Sequence, residues 1–244
     1  MPFERLLKGF AEFRLGYYRE HPELFEKLAT QGQSPEVLVI GCSDARVDPG
    51  ILAQARPGDI FTVRNISAMV PPAQPDERQH GTSAAIEYAV RGLEVRHVVV
   101  LGHALCGGIA ALVDGERSSA YASYDYLSTW MAVAQEVRDL AVGELAGKPR
   151  EQVVRAVEQA AVLKSVANLM SFPWIAERVA TGKLHLHAWW FTLVEGQLYA
   201  FNSETARFEP VEGVDVTPTV AKGTSLSAIK PERLIAVAAG KPAF

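Results

Sequence analysis

Cys42 and Cys106 are the only two cysteines in this chain of 244 residues, and His103 precedes the second by three positions. Two thiolates and one imidazole make the donor set of a zinc site whose fourth position is open or exchangeable. An open position argues for catalysis, because a structural zinc site takes all four ligands from the protein. The competing reading is inert packing, which free cysteine does well as a small buried hydrophobe, but it leaves His103 unexplained. A thiol redox centre fits poorly, since the cysteines are far from any C-x-x-C pair.

Elements able to bring these residues together surround them. Cys42 closes the run Val37-Leu38-Val39-Ile40-Gly41, and His103 closes His97-Val98-Val99-Val100-Leu101-Gly102. Short apolar runs bounded by glycine read as buried strands of a parallel sheet. In such sheets the functional crevice lies beyond the carboxyl ends of the strands. Two strand ends therefore deliver the three donors to one crevice. The pattern predicts a further strand over about 59–64 and helices over about 82–91, from 106 onward, 129–141 and 150–171. A hairpin is expected from 184–194 to 197–202, turning at Glu195-Gly196. Strand-helix alternation of this kind predicts an α/β fold, a mostly parallel central sheet flanked by helices.

Upstream, Phe3, Leu6, Leu7, Phe10 and Phe13 recur at helical spacing, and a short helix follows over about 22–29. This arm, about residues 1–30, is expected to pack on a partner subunit; folding back on its own domain is the alternative. The expected organisation is one α/β zinc-enzyme domain over 1–210, arm included. Beyond it lies a loosely ordered tail over 211–244, where periodicity fades.

Composition narrows the function. With 48% hydrophobic and 21% charged residues the chain is an ordinary globular protein with one substantial core. A net charge of -4 and no block of lysine or arginine argue against duplex nucleic acid or an anionic membrane as partner. No apolar stretch approaches the roughly 20 residues of a membrane helix. Met1-Pro2-Phe3-Glu4-Arg5 lacks the basic segment of a signal peptide, and two cysteines without a disulfide framework fit a reducing cytoplasm.

Several segments agree on one family. Gly41-Cys42-Ser43-Asp44-Ala45-Arg46-Val47, Pro57-Gly58-Asp59-Ile60-Phe61-Thr62-Val63-Arg64-Asn65, Ser83-Ala84-Ala85-Ile86-Glu87-Tyr88-Ala89-Val90, Gly102-His103 and Cys106-Gly107-Gly108 resemble the β-class carbonic anhydrases. A weaker echo runs through 165–173 and 187–191, so the resemblance covers roughly residues 30 to 205. It implies a zinc enzyme, one Zn2+ per subunit, that interconverts carbon dioxide and bicarbonate. It also implies a homodimer or higher homo-oligomer with pockets at the subunit interface. Carried over singly, Cys42, His103 and Cys106 match the zinc ligands, and Asp44 with Arg46 the dyad beside the metal. Gln33, Phe61, Ile66 and Tyr88 match the carbon dioxide pocket. Gly107, at a helix N-terminus, adds a backbone amide able to meet an anion.

The chemistry accounts for these types. Zinc lowers the pKa of a bound water from about 15.7 to near 7 in a three-histidine site. Two thiolates cancel the metal's charge, so here the water should titrate higher and depend more on Asp44 to orient it. Arg46 would hold Asp44 ionised and off the metal through a bidentate pair. Some family members close this site by letting the aspartate bind zinc, with bicarbonate at a second site. The positions matching that second site are Val39, Arg64 and Phe191, two of which lack the required side chains, so the open form is expected. Ala45, Ala104, Leu105, Ala68 and Ala188 depart from common family residues without touching the ligands or the dyad. No histidine stands obviously beside the site; His80, in a polar loop, is the nearest candidate to carry protons. His185 and His187 share a strand face and read as structural. Two rivals remain open: a carbonyl sulfide or carbon disulfide hydrolase on the same fold, and a non-catalytic zinc-binding protein.

Overall fold

The computed structural model describes residues 2–76, 78–115, 124–213 and 216–241. The chain divides into two compact units, Met1–Ser34 and Pro35–Phe244. The first holds α1 (Pro2–Leu15), α2 (Tyr17–Glu20) and α3 (Pro22–Gln31), none of which buries a residue. Phe25 packs against Phe13 and Tyr18, with ring centroids 5.9 and 4.5 Å away, and these contacts tie the helices to one another. Phe3, Leu6, Leu7 and Phe10 of α1 stay exposed.

The second unit alternates as its periodicity requires. Its elements are β1 (Val37–Cys42), α4 (Pro49–Leu52), β2 (Ile60–Asn65), α5 (Gly81–Glu87), β3 (His97–His103), α6 (Gly107–Asp114), α7 (Leu127–Met131), α8 (Gln135–Glu144), α9 (Arg150–Leu169), α10 (Pro173–Ala180), β4 (His185–Phe191), β5 (Leu198–Asn202), β6 (Arg207–Pro210) and α11 (Pro231–Ala238). The six strands form one sheet in the order β2-β1-β3-β4-β5-β6. β2, β1, β3 and β4 are parallel, and β5 and β6 add antiparallel at one edge. From β1 the chain moves to one side to make β2 and to the other to make β3. The carboxyl ends of β1 and β3 therefore flank the point where strand order reverses, where ligands settle in open α/β sheets. In register Gly41 lies beside Leu101, which sets Cys42 and His103 at that point.

One helix fixes the sheet's position. From Val153 to Leu169 α9 is buried almost all round, as a helix through the middle of a core must be. It packs so closely on β3 that a Cβ on Gly102 would fall 2.4 Å from Val162 Cγ2. Pro173 ends the run that α9 occupies and opens α10.

Two expectations are corrected. The helix over 129–141 is broken into α7, a 3-10 turn at Ala132–Ala134 and α8. The end of the chain is not a loose tail among its described residues. Thr219 Oγ1 accepts from the Ala188 amide at 2.9 Å, Val220 pairs with Leu186, and Ile229, Leu234 and Ile235 are buried. Residues 214–215 and 242–244 of that expected tail lie outside the described residues. A short α11 carries too few turns for its apolar stripe to stand out from sequence.

His185 and His187 are joined by a third imidazole that the sequence separates by ninety positions. His97 Nδ1 lies 3.1 Å from His187 Nε2, and the His97 and His185 rings stack at 5.4 Å. His187 is buried, and burial, then the neighbouring imidazoles, push its pKa down to about 4. Above the unfolded value of about 6.5 both states are neutral here. Below it the unfolded chain takes up a proton that the native state refuses, so stability falls between about 6.5 and 4. Urea unfolding should show wild type losing about 2 kcal/mol more than His187→Gln between pH 8 and pH 5. Equal losses would contradict a neutral, buried His187.

Candidate metal centre

Cys42, His103 and Cys106 each offer a ligand atom, and these atoms lie within 4.8 Å of one another. Among the described residues this is the one group of three such side chains so close. All three are buried, between 2% and 4% exposed. β1 ends on Cys42 and β3 on His103, and Cys106 follows a two-residue turn into α6. His103 Nδ1 donates to the Ala104 carbonyl at 2.8 Å. That bond leaves Nε2 as a bare lone pair, and Nε2 is buried with no hydrogen-bond partner. An imidazole fixed by one nitrogen with the other free toward two sulfurs is how histidine presents itself to a metal.

The sulfurs tell the same story. They share a hydrogen bond, so the pair gives up one proton readily and holds the second. Cys42, helped by Ser67, pulls the Cys106 thiol down against burial, while the same pairing pushes Cys42 up. Two ionised thiolates at this spacing require a cation between them, and thiolates with imidazole suit zinc. The residues fit that metal.

Ser67, which no motif singles out, contacts both sulfurs. Its amide donates to Cys42 Sγ at 3.3 Å and its Oγ lies 3.3 Å from Cys106 Sγ. Ser67 and Ala68 both have positive φ, 66° and 54°. Left-handed backbone costs about 1–2 kcal/mol in residues with a Cβ. Asn65 holds the turn by donating to the Met69 carbonyl and accepting from its amide, at 2.8 and 2.9 Å. Gly108 allows this approach: a Cβ there would fall 2.4 Å from Ser67 Oγ.

Asp44 and Arg46 form a two-pronged pair. Arg46 Nε donates to Oδ1 at 2.9 Å and Nη2 to Oδ2 at 2.6 Å, and the Arg46 amide adds a bond to Oδ1. The guanidinium holds the Asp44 carboxyl well below the usual carboxylate range. Asp44 Oδ2 stands 4.0 Å from His103 Nε2, beside the three donors while held by Arg46. Arg64 braces the same loop. Its guanidinium donates to the Cys42 carbonyl at 2.9 Å, the Asp44 carbonyl at 2.8 Å and Asp48 Oδ2 at 2.6 Å. Sequence placed Arg64 only by likeness to a second anion site.

The pocket residues are gathered in part. Phe61 and Tyr88 meet with ring centroids 5.8 Å apart. Ile66, whose carbonyl accepts from Trp130 Nε1, lines a cavity of about 840 Å³ with Ser43, Asn65 and His80. His80 is paired with Asp76 at 2.6 Å. Gly107 opens α6, next to Cys106. Gln33 lies in the N-terminal unit, beyond α3.

A second buried group was not anticipated. Glu158 of α9 is 4% exposed, and its Oε1 accepts from the Cys106 amide at 3.0 Å. Burial pushes its carboxyl up to about 7, against that hydrogen bond. The signal was available: Glu158 falls one turn from both Val154 and Val162, on the buried stripe of an otherwise apolar helix.

Known proteins resemble this chain in sequence and fold. A family model described as carbonic anhydrase matches residues 37–198. A carbonic anhydrase of Synechocystis sp. is 31% identical over 229 residues, covering 94% of this chain and 78% of that protein. The solved β-carbonic anhydrase CcaA superposes with a TM-score of 0.80 at 31% identity, over 86% of this chain and all of that one. A structure from work on two tetrameric β-carbonic anhydrases of Sordaria macrospora gives 0.73 at 32% identity, over 82% and 97%. This chain belongs to the β-class carbonic anhydrases, zinc-dependent lyases that interconvert carbon dioxide and bicarbonate.

Proposed function

We propose that Cys42, His103 and Cys106 hold the zinc with which this enzyme hydrates carbon dioxide, and that Asp44 and Arg46 are its catalytic dyad. The observation that carries this reading is the unpartnered, buried His103 Nε2 facing two buried sulfurs. Zinc, when bound, supplies the Lewis acid that makes hydroxide available near neutral pH.

The chain's own groups do the rest. Asp44 accepts a hydrogen bond from solvent at the centre and so fixes which lone pair faces the substrate. Arg46 keeps that carboxylate ionised and turned away from the ligands; the two-pronged pair supports an open site. Phe61, Ile66 and Tyr88 form an apolar wall that favours carbon dioxide over water, and the Gly107 amide meets the bicarbonate anion. The contact between Phe61 and Tyr88 supports that wall.

The enzyme works as a homodimer or higher homo-oligomer. Tetrameric relatives and an arm whose α1 leaves Phe3, Leu6 and Phe10 exposed support this. Its partners are the small substrate and copies of itself. No helix among the described residues is long and apolar enough to cross a membrane, and the two cysteines are unbridged, in keeping with a cytoplasmic enzyme.

Metal analysis of purified protein should find one zinc per subunit. Cys106→Ser should abolish most of it and lower kcat/KM for hydration by more than the roughly 100-fold that loss of a ligand's own partner costs. Full zinc in Cys106→Ser would remove Cys106 from the ligand set. Asp44→Asn should keep the metal and lose about 100-fold in kcat, the scale of one transition-state hydrogen bond. A silent Asp44→Asn would favour a non-catalytic zinc protein. Stopped-flow hydration faster than sulfide release from carbonyl sulfide or carbon disulfide is the expected result; the reverse order would favour the hydrolase.

A further inference from the structure

One peptide group, between Leu105 and Cys106, is gripped at both ends. Its carbonyl, on Leu105, accepts from Arg46 Nη2 at 3.0 Å. Its N–H, on Cys106, donates to Glu158 Oε1 at 3.0 Å. The two ends of a trans peptide point in opposite directions, so these bonds hold the plane from both sides. Leu105 itself sits at φ 59°, in left-handed backbone that is costly for a leucine, so this turn is held and not free. Turning the plane would rotate ψ of Leu105 and φ of Cys106 and take the carbonyl away from Arg46.

Glu158 is well placed to prevent that turn. It stands on α9, with Val154, Val157, Ala161 and Val162 buried around it, so its carboxyl is anchored to the most deeply packed helix of the fold. A buried carboxyl is costly where hydrocarbon would fit. Its bond to the amide of Cys106 gives it a task that hydrocarbon could not perform.

We infer that Glu158 is a positioning residue of this enzyme: by holding the Cys106 amide it fixes the Leu105–Cys106 peptide, and through the Leu105 carbonyl it fixes Arg46 and the Asp44 carboxylate. The inference rests on the reading of Cys106 as a zinc ligand and of Asp44 with Arg46 as the dyad. It joins two groups that otherwise approach the centre from different strands.

Glu158→Gln and Glu158→Leu test it. Glutamine keeps an oxygen for the amide; leucine keeps the volume and loses the acceptor. Crystal structures should show Glu158→Gln with the Cys106 amide on the glutamine oxygen and the Leu105 carbonyl still on Arg46. Glu158→Leu should show the peptide turned, the Leu105 carbonyl away from Arg46 and Arg46 released. Chelator competition and hydration kinetics should then give about a 10- to 100-fold loss of zinc affinity and of kcat/KM in Glu158→Leu, largely rescued in Glu158→Gln. An unmoved peptide in Glu158→Leu, or equal losses in both variants, would overturn the inference, the second by making the charge rather than the acceptor decisive. If Glu158→Leu does not fold, Glu158→Gln still decides, since loss of the peptide orientation there contradicts the role. The peptide's orientation is read with or without metal, so zinc-free wild-type protein would sink the ligand assignment and leave this test standing.

Discussion

Three buried donor atoms crowd one another in this protein, and among the described residues one of them, His103 Nε2, has no hydrogen-bond partner. Two sulfurs and a bare imidazole nitrogen within 4.8 Å are an unfavourable arrangement for a chain alone. The first thiol ionises because the second lends it a hydrogen bond, and the second then resists. A divalent cation turns that frustration into coordination. The fold answers this demand: β1 and β3 end side by side at the strand-order reversal, and α9 presses so close to β3 that position 102 has no room for a side chain. Left-handed turns at Ser67, Ala68 and Leu105 bring hydrogen bonds to the sulfurs and to the dyad, at a backbone cost that the surrounding contacts offset.

The second constraint is that a carboxylate must sit beside the centre without joining it. Asp44 would be a good fourth ligand if free. Arg46 occupies both of its oxygens, and Arg46 is itself held by the Leu105 carbonyl. Arg64, with all three of its bonds spent on the loop from Cys42 to Asp48, prevents the backbone under the dyad from drifting. Its role here is bracing, and that agrees with Val39 and Phe191 standing where an anion site would need other side chains.

Cys42, His103 and Cys106 were legible because cysteine and histidine are scarce and their neighbours in sequence form strands that end where they stand, whereas Asp44 and Arg46 were legible through the family resemblance. The parallel order of the first strands followed from apolar runs bounded by glycine, and the hairpin from Glu195-Gly196. What sequence hid was tertiary. Ser67 acts through its amide and an unusual φ, neither of which a residue type declares. The His97 contact with His187 depends on the register of β3 against β4. Glu158 was half-visible, a charge on an apolar stripe, yet its partner is a backbone amide fifty-two positions away. The end of the chain was misread because α11 spans only eight residues and draws its order from packing on α8 and α9.

Zinc K-edge X-ray absorption on the purified enzyme tests the central claim most directly. The account predicts two sulfur scatterers, one imidazole nitrogen and one light oxygen at tetrahedral distances, about 2.3 Å for sulfur and about 2.0 Å for nitrogen. A shell with fewer than two sulfurs, or with a second imidazole in place of the oxygen, would contradict it.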